Sequence, residues 1–135
     1  MLLIHFAATW FMVGLIWFIQ VVHYPLFASV GEARFAEYHR QHSRRISLLL
    51  AVVAVAEVVT AAGLLWSLPS SRVLVLVSGA LLAVIWVITA TVQVPQHARI
   101  RPGDHEAVAR LVAGNWIRTT LWTARGFLVM WMLAI

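Results

Sequence analysis

The chain has no cysteine, which removes disulfides, thiolate metal ligands, iron–sulfur clusters and a cysteine nucleophile from consideration. It has no lysine either. All ten basic residues are arginine, which reads as a genomic bias. Charge is scarce altogether: 11% of residues, against roughly 25% in soluble domains. Only five residues are acidic, while 62% are hydrophobic and seven are tryptophan. A chain of 135 residues with this composition has room for one domain, residues 1–135, and fits a lipid bilayer better than water. The formal net charge of +5 does not point to nucleic acid, because the arginines lie dispersed beside apolar runs rather than on one basic face. Membrane topology accounts for them more simply. No phosphate loop, Ser/His/Asp constellation, GxxxG pair or nucleic-acid motif is present.

Four apolar runs have the ~20 residues that a bilayer core requires, at about 2–22, 46–66, 73–92 and 117–133. The N-terminus lacks a positive n-region and a small-residue cleavage site, so the first run is expected to remain as a span. Gly31 separates it from a second helix starting near Glu32. Phe35, His39, His42 and Ile46 recur at helical spacing, which makes the first connector an extension of that helix. Pro69 ends it in a short turn. The third run continues past Pro95, as membrane helices allow, until Arg101-Pro-Gly-Asp104 breaks it, with Asp104 as N-cap of a fourth helix. The expected fold is all-α, a four-transmembrane-helix up-down-up-down bundle. The first connector carries Arg34, Arg40, Arg44 and Arg45, the third carries Arg99, Arg101 and Arg110 with Arg118 nearby, and the second has only Arg72. The positive-inside rule then puts loops one and three in the cytoplasm and both termini outside, in a bacterial inner membrane.

The halves resemble one another. Gln20 and Arg45 stand 25 positions apart, as do Gln93 and Arg118; Gln20 and His42 stand 22 apart, as do Gln93 and Asn115. The chain therefore reads as two similar helical hairpins. Polar groups collect at one rim: Gln20, His23 and Tyr24 from the first helix, His39, His42 and Arg45 from the second, Gln93 and His97 from the third, Asn115 and Arg118 from the fourth. His39 and His42 are three apart and face one way. Neutral imidazole is the commonest metal ligand, and bundle cores fed by several helices hold metals. His23, His39 or His42, and His97 are therefore candidate ligands for copper, iron or zinc. The same residues, hydrogen-bonded to one another at the headgroup level, would equally stiffen the bundle.

Charge deeper in a span is costly, about 2.5–3.5 kcal/mol on insertion scales, so Glu57 and Arg125 are expected to meet. Measured from Arg45 and Arg118, they lie ~18 Å and ~10 Å inward at 1.5 Å per residue, a gap an arginine side chain can span. His5 lies at a depth comparable with Glu57, and a polar seam can run from the rim to them. Trp17, Trp66, Trp116 and Trp131 fall near span ends and fit interfacial belts. Trp10, Trp86 and Trp122 lie deeper, where they either pack the core or line an aromatic pocket.

At Tyr24-Pro25, at Val94-Pro95-Gln96-His97, at Gly103-Asp104 and Leu111, and at Trp116-Ile117-Arg118-Thr119, the chain resembles the anthrone-oxygenase-like family of small four-helix integral membrane proteins. The likeness covers nearly the whole chain in layout and about a dozen residues in detail. His97 stands where the family often has Asn, and the run Tyr38-His39-Arg40-Gln41-His42 is a departure. The resemblance implies oxidation of a flat, lipophilic, polyketide-type molecule by oxygen. On that view Trp86 and Trp122 hold the ring, and His23, His42 and His97 act as base or metal ligands. Asn115 and Arg118 then bind the substrate oxygen or stabilise an enolate.

The expectation is a membrane oxidoreductase or oxygenase for a lipophilic aromatic or quinone-like small molecule. His42, Asn115 and Arg118 would be catalytic, and Gln20, Tyr24, Trp86, Gln93 and Trp122 would hold cofactor. Two alternatives stand beside it. One is a haem- or quinone-binding redox protein, with His23 and His42 or His97 as bis-histidine ligands. The other is a non-catalytic subunit or assembly factor. A homo-oligomer is compatible with all three.

Overall fold

The structure, a computed structural model, describes residues 1–135. It is all-α, with no strand. Helix α1 spans Leu2–Phe18, runs into a π-helical turn over Ile19–His23 and ends in a 3-10 turn over Pro25–Ser29. Helix α2 covers Glu32–Ser67, and a 3-10 turn over Pro69–Ser71 leads into α3, Arg72–Ile88. A second π-helical turn, Thr89–Gln93, joins α3 to the short α4, Val94–Arg99. Helix α5 runs from His105 to Ala134, and the Asp104 carboxylate accepts from the Ala107 amide at 2.8 Å to cap it. Gly103, with φ of +75°, supplies the left-handed step before that cap.

Three segments are long and apolar enough to cross a membrane: Leu2–Ser29, Glu32–Ser67 and Pro69–Arg99. Helix α5 is not among them. It carries Asn115, Arg118 and Arg125, all buried on the face turned to the other helices. Its polar groups are solvated by protein, so its own sequence is less apolar than that of a lipid-facing helix. Helix α2 is ~54 Å long at 1.5 Å per residue, well beyond a bilayer core of about 30 Å. Its first turns therefore stand clear of the segment that can cross.

Polar side chains are buried among the helices while large apolar ones face outward. His5, Thr9, Gln20, Glu57, Gln93, Asn115, Arg118 and Arg125 are buried, while Leu48, Val52, Val55, Val58 and Val59 of α2 are exposed. Apolar surface on that scale fits lipid rather than water. Trp66 and Trp131 are exposed at one end. Trp17 and Trp116 pack edge-on at the other, with centroids 5.6 Å apart, as interfacial belts require. Three apolar clusters fill the interior. One lies at the rim around Phe27, Phe35 and Leu111, one around Ile16, Ile85 and Trp122, and one at the far end around Leu64 and Val129. Helix α5 packs on α1 and α3, and α2 packs on α1 and α3 and reaches α5 through Glu57 and Arg125. Gly126 permits the α1–α5 approach, since a Cβ there would lie 2.9 Å from Val13 Cγ2.

Candidate functional site

The two π-helical turns set the rim. Each shifts one backbone bond to i→i+5, as Tyr24 N–H to Ile19 O does at 2.9 Å, and such bulges recur at functional sites. Each contains one of the paired glutamines, Gln20 and Gln93, and both are buried. Gln20 Nε2 donates to the Val112 carbonyl, and Gln20 Oε1 accepts from Asn115 Nδ2 at 2.8 Å. Arg118 Nη1 donates to Asn115 Oδ1 at 3.0 Å. Gln20 thereby fixes Asn115, and Asn115 fixes Arg118, whose guanidinium lies beside the Tyr24 hydroxyl.

All four rim histidines come together. His23 Nε2 and His42 Nδ1 are 2.8 Å apart, and His39 Nε2 and His97 Nδ1 are 3.3 Å apart. The second pair continues from His97 Nε2 to the Tyr24 hydroxyl at 2.8 Å. Phe27 presents its ring edge-on to all four imidazoles, with centroids 5.1–6.0 Å away.

Neutral imidazoles suit a metal, but no three of these side chains converge on a point that could hold one. Each of the four spends one nitrogen on another of them, His97 spends its second on Tyr24, and Phe27 stands among them. The 4.4 Å between the His23 and His42 ring centroids likewise leaves no room for a haem plane between those two rings. The present arrangement fits neither group.

The rim encloses a cavity of about 250 Å³. From α2, His39, His42, Ser43 and Leu50 line it; from the third segment, Gln93 and His97; Tyr24 and Arg118 close it from α1 and α5. Its exposed lining residues, Ser47 on α2 and Val94 and Ala98 on α4, mark the mouth as a lateral gap between those helices. Gln93 Oε1 and Arg118 Nε are buried without a hydrogen-bond partner. His42 Nε2 has no protein partner either, since its one bond is through Nδ1.

The expected site residues divide accordingly. Tyr24, His39, His42, Gln93, His97 and Arg118 line the cavity. Gln20 and Asn115 stand behind Arg118, and His23 lines an adjacent groove. Trp86 and Trp122 do not reach the cavity; they pack deeper, against the cluster of Ile16 and Ile85. Sequence reasoning missed Phe27, Ser43, Ser47 and Thr89. The serines carried a signal, since they fall on one helix face with His39 and Ile46.

Glu57 and Arg125 form a second centre, midway along the bundle and fully buried. Arg125 Nη1 donates to Glu57 Oε1, and Thr9 Oγ1 donates to the same oxygen at 2.9 Å. Arg125 Nε donates to the Ser78 carbonyl at 3.2 Å, and its guanidinium sits 5.3 Å from the Trp122 ring centroid. Arg125 Nη2 lies 3.2 Å from His5 Nε2. A guanidinium only donates, so Nε2 accepts and the His5 proton sits on Nδ1, facing Thr60 Oγ1 at 2.8 Å. The Thr60 hydroxyl donates in turn to the Ala56 carbonyl. Four helices are tied at one point.

No protein-family model, curated protein or solved structure matches the chain.

Proposed function

We propose that the chain is a membrane-embedded oxidoreductase of the anthrone-oxygenase-like kind, acting on a lipophilic aromatic or quinone-like molecule held in the rim cavity. One observation carries the reading. Tyr24, His39, His42, Gln93, His97 and Arg118 bring donors, acceptors and a cation to the wall of one cavity, a polar set able to orient an oxygen-bearing ring. The volume lies just below the roughly 300–1,000 Å³ of drug-sized sites, which favours a compact ring system with any tail left in the lateral mouth.

The roles follow from position. With Nδ1–H donating to His23, His42 offers a lone pair at Nε2 and is the base, oriented by His23. Arg118 is the donor for the oxygen on which charge develops, and Asn115 and Gln20 hold it in place. Loss of a proton beside a carbonyl gives an enolate, which passes one electron to dioxygen; the carbon radical and superoxide join, a proton completes the hydroperoxide, and its loss of water leaves the new carbonyl. No step is routed through a metal or haem.

The surrounding architecture is an up-down-up-down bundle in which α5 provides the fourth crossing. The arginine-rich first and third loops face the cytoplasm of a bacterium. The paired histidines favour a second reading, a non-catalytic membrane subunit, because side chains satisfied by one another need no ligand.

The test begins with metal content and the visible spectrum of the detergent-purified protein, then titrates anthrone and quinone probes against tryptophan fluorescence. Binding that Gln93→Leu weakens, with dioxygen uptake on anthrone reduced about 10²-fold in His42→Gln, is the expected result. A protein that binds neither probe is the subunit of the second reading. Stoichiometric metal or a Soret band would replace the cofactor-free scheme.

A further inference from the structure

Adjoining the cavity, with which it shares His42 and Ile46, lies a groove of about 290 Å³ lined further by Tyr38, Gln41, Arg45 and Leu49 of α2 and by His23 of the first segment. Positions 38, 41, 45 and 49 recur at three and four residues, so they form one stripe of the helix. The chemistry changes along that stripe. A hydroxyl, an amide and a guanidinium occupy its first two turns, and Ile46 and Leu49 continue it into the run that crosses the membrane. The whole descent, from Tyr38 to Leu49, is ~16 Å.

Neither Tyr38 nor Arg45 makes a side-chain hydrogen bond within the protein. The salt bridges are Arg40–Glu37, Arg110–Glu106 and Arg125–Glu57, none of which reaches the groove. No acidic residue lines it. The nearest carboxylate, Glu37, is taken by Arg40 and Gln41. On the α1 side, Phe18 and Val22 are exposed, and Phe18 stacks on His23 with centroids 6.2 Å apart. An uncompensated cation and a free hydroxyl thus head a stripe that turns apolar at Ile46 and Leu49.

We propose that this groove binds an anionic phospholipid. Arg45 pairs with its phosphate, Tyr38 donates to a phosphate oxygen, and an acyl chain descends along Leu49, Phe18 and Val22. The gradient from donors to apolar walls matches an amphiphile end to end, whereas a free phosphate would use only the upper half. Basic pockets at the cytoplasmic ends of membrane helices take lipid head groups in the same way.

Lipid retained by the full-length protein provides the test. Protein purified in detergent and offered equal phosphatidylglycerol and phosphatidylcholine is analysed by native mass spectrometry. The wild type is expected to hold phosphatidylglycerol in preference, and Arg45→Gln to hold it about fivefold more weakly. Arg101→Gln, which removes the same charge from an exposed position on the same side, is expected to match the wild type. Arg45 is exposed and unbonded, so its replacement leaves folding intact, which the thermal melt checks. Equal retention of both lipids, or equal losses in the two arginine variants, overturns the site. Displacement by inorganic phosphate alone, as effective as by lipid, overturns the lipid assignment.

Discussion

At the scale of single residues, the deepest charges in the chain are paired with each other, and Glu57 Oε2 is left without a partner. Glu57 and Arg125 are both fully buried, and each would be prohibitive alone in this setting. Arg125 serves four partners, Glu57, Thr9, His5 and the Ser78 carbonyl. Removing one member leaves the other uncompensated, at about 3–5 kcal/mol. Arg125→Leu and Glu57→Gln should therefore each lower the unfolding midpoint in detergent steeply, and the double variant should lose less than either alone. Additive losses would mean the two charges are independent. The meeting of Glu57 and Arg125 could be argued from depth along their helices, because 1.5 Å per residue converts sequence into height. Their other partners could not, since the Thr9 hydroxyl and the Ser78 carbonyl carry no cost that forces a partner and so leave no mark in the pattern. Phe27 was also out of reach. Its contact with four imidazoles depends on how the 3-10 turn over Pro25–Ser29 folds the chain back over the rim.

At the scale of elements, boundaries were legible where a residue type dictates the backbone. Pro69 stops α2, and Asp104 caps α5, for reasons local to each residue. The π-helical turns before Tyr24-Pro25 and Val94-Pro95 were not legible, because a shift of one hydrogen bond has no residue signature. Those turns nevertheless hold the paired glutamines, so the repeat seen in spacing has a backbone counterpart. Close approach of α1 and α5 is the other element-scale requirement. A Cβ at Gly126 meets Val13, while one at Gly79 on α3 meets nothing within 4 Å. Gly126→Ala should therefore cost about 1–3 kcal/mol through overpacking, and Gly79→Ala should not destabilise. Thermal unfolding of the two variants side by side separates them, and equal midpoints would mean that α1 and α5 do not cross closely at Gly126.

At the scale of the whole molecule, the two hairpins are alike but unequally closed. Gln20 of the first π-helical turn reaches Asn115 of α5 directly. Its counterpart Gln93 reaches only Gln96 and lines the cavity with His42 of α2 instead. One copy of the repeated interface is sealed and the other is open, which is why the cavity lies between α2 and the third segment. The same asymmetry leaves Arg118 inside and Arg45 outside, although the repeat pairs them. Orientation is the remaining whole-molecule property, and the missing cysteines make it directly measurable. Single replacements Ser70→Cys in the second loop and Arg101→Cys in the third fall at exposed positions, and no native thiol competes for the label. With the arginine-rich loops inside, a membrane-impermeant maleimide added to intact cells should label Ser70→Cys and spare Arg101→Cys until the membrane is opened. The reverse pattern would invert the topology and place the rim cavity on the outer face. Labelling of both from outside would mean that the chain inserts in two orientations, with its ten arginines too evenly shared to choose one.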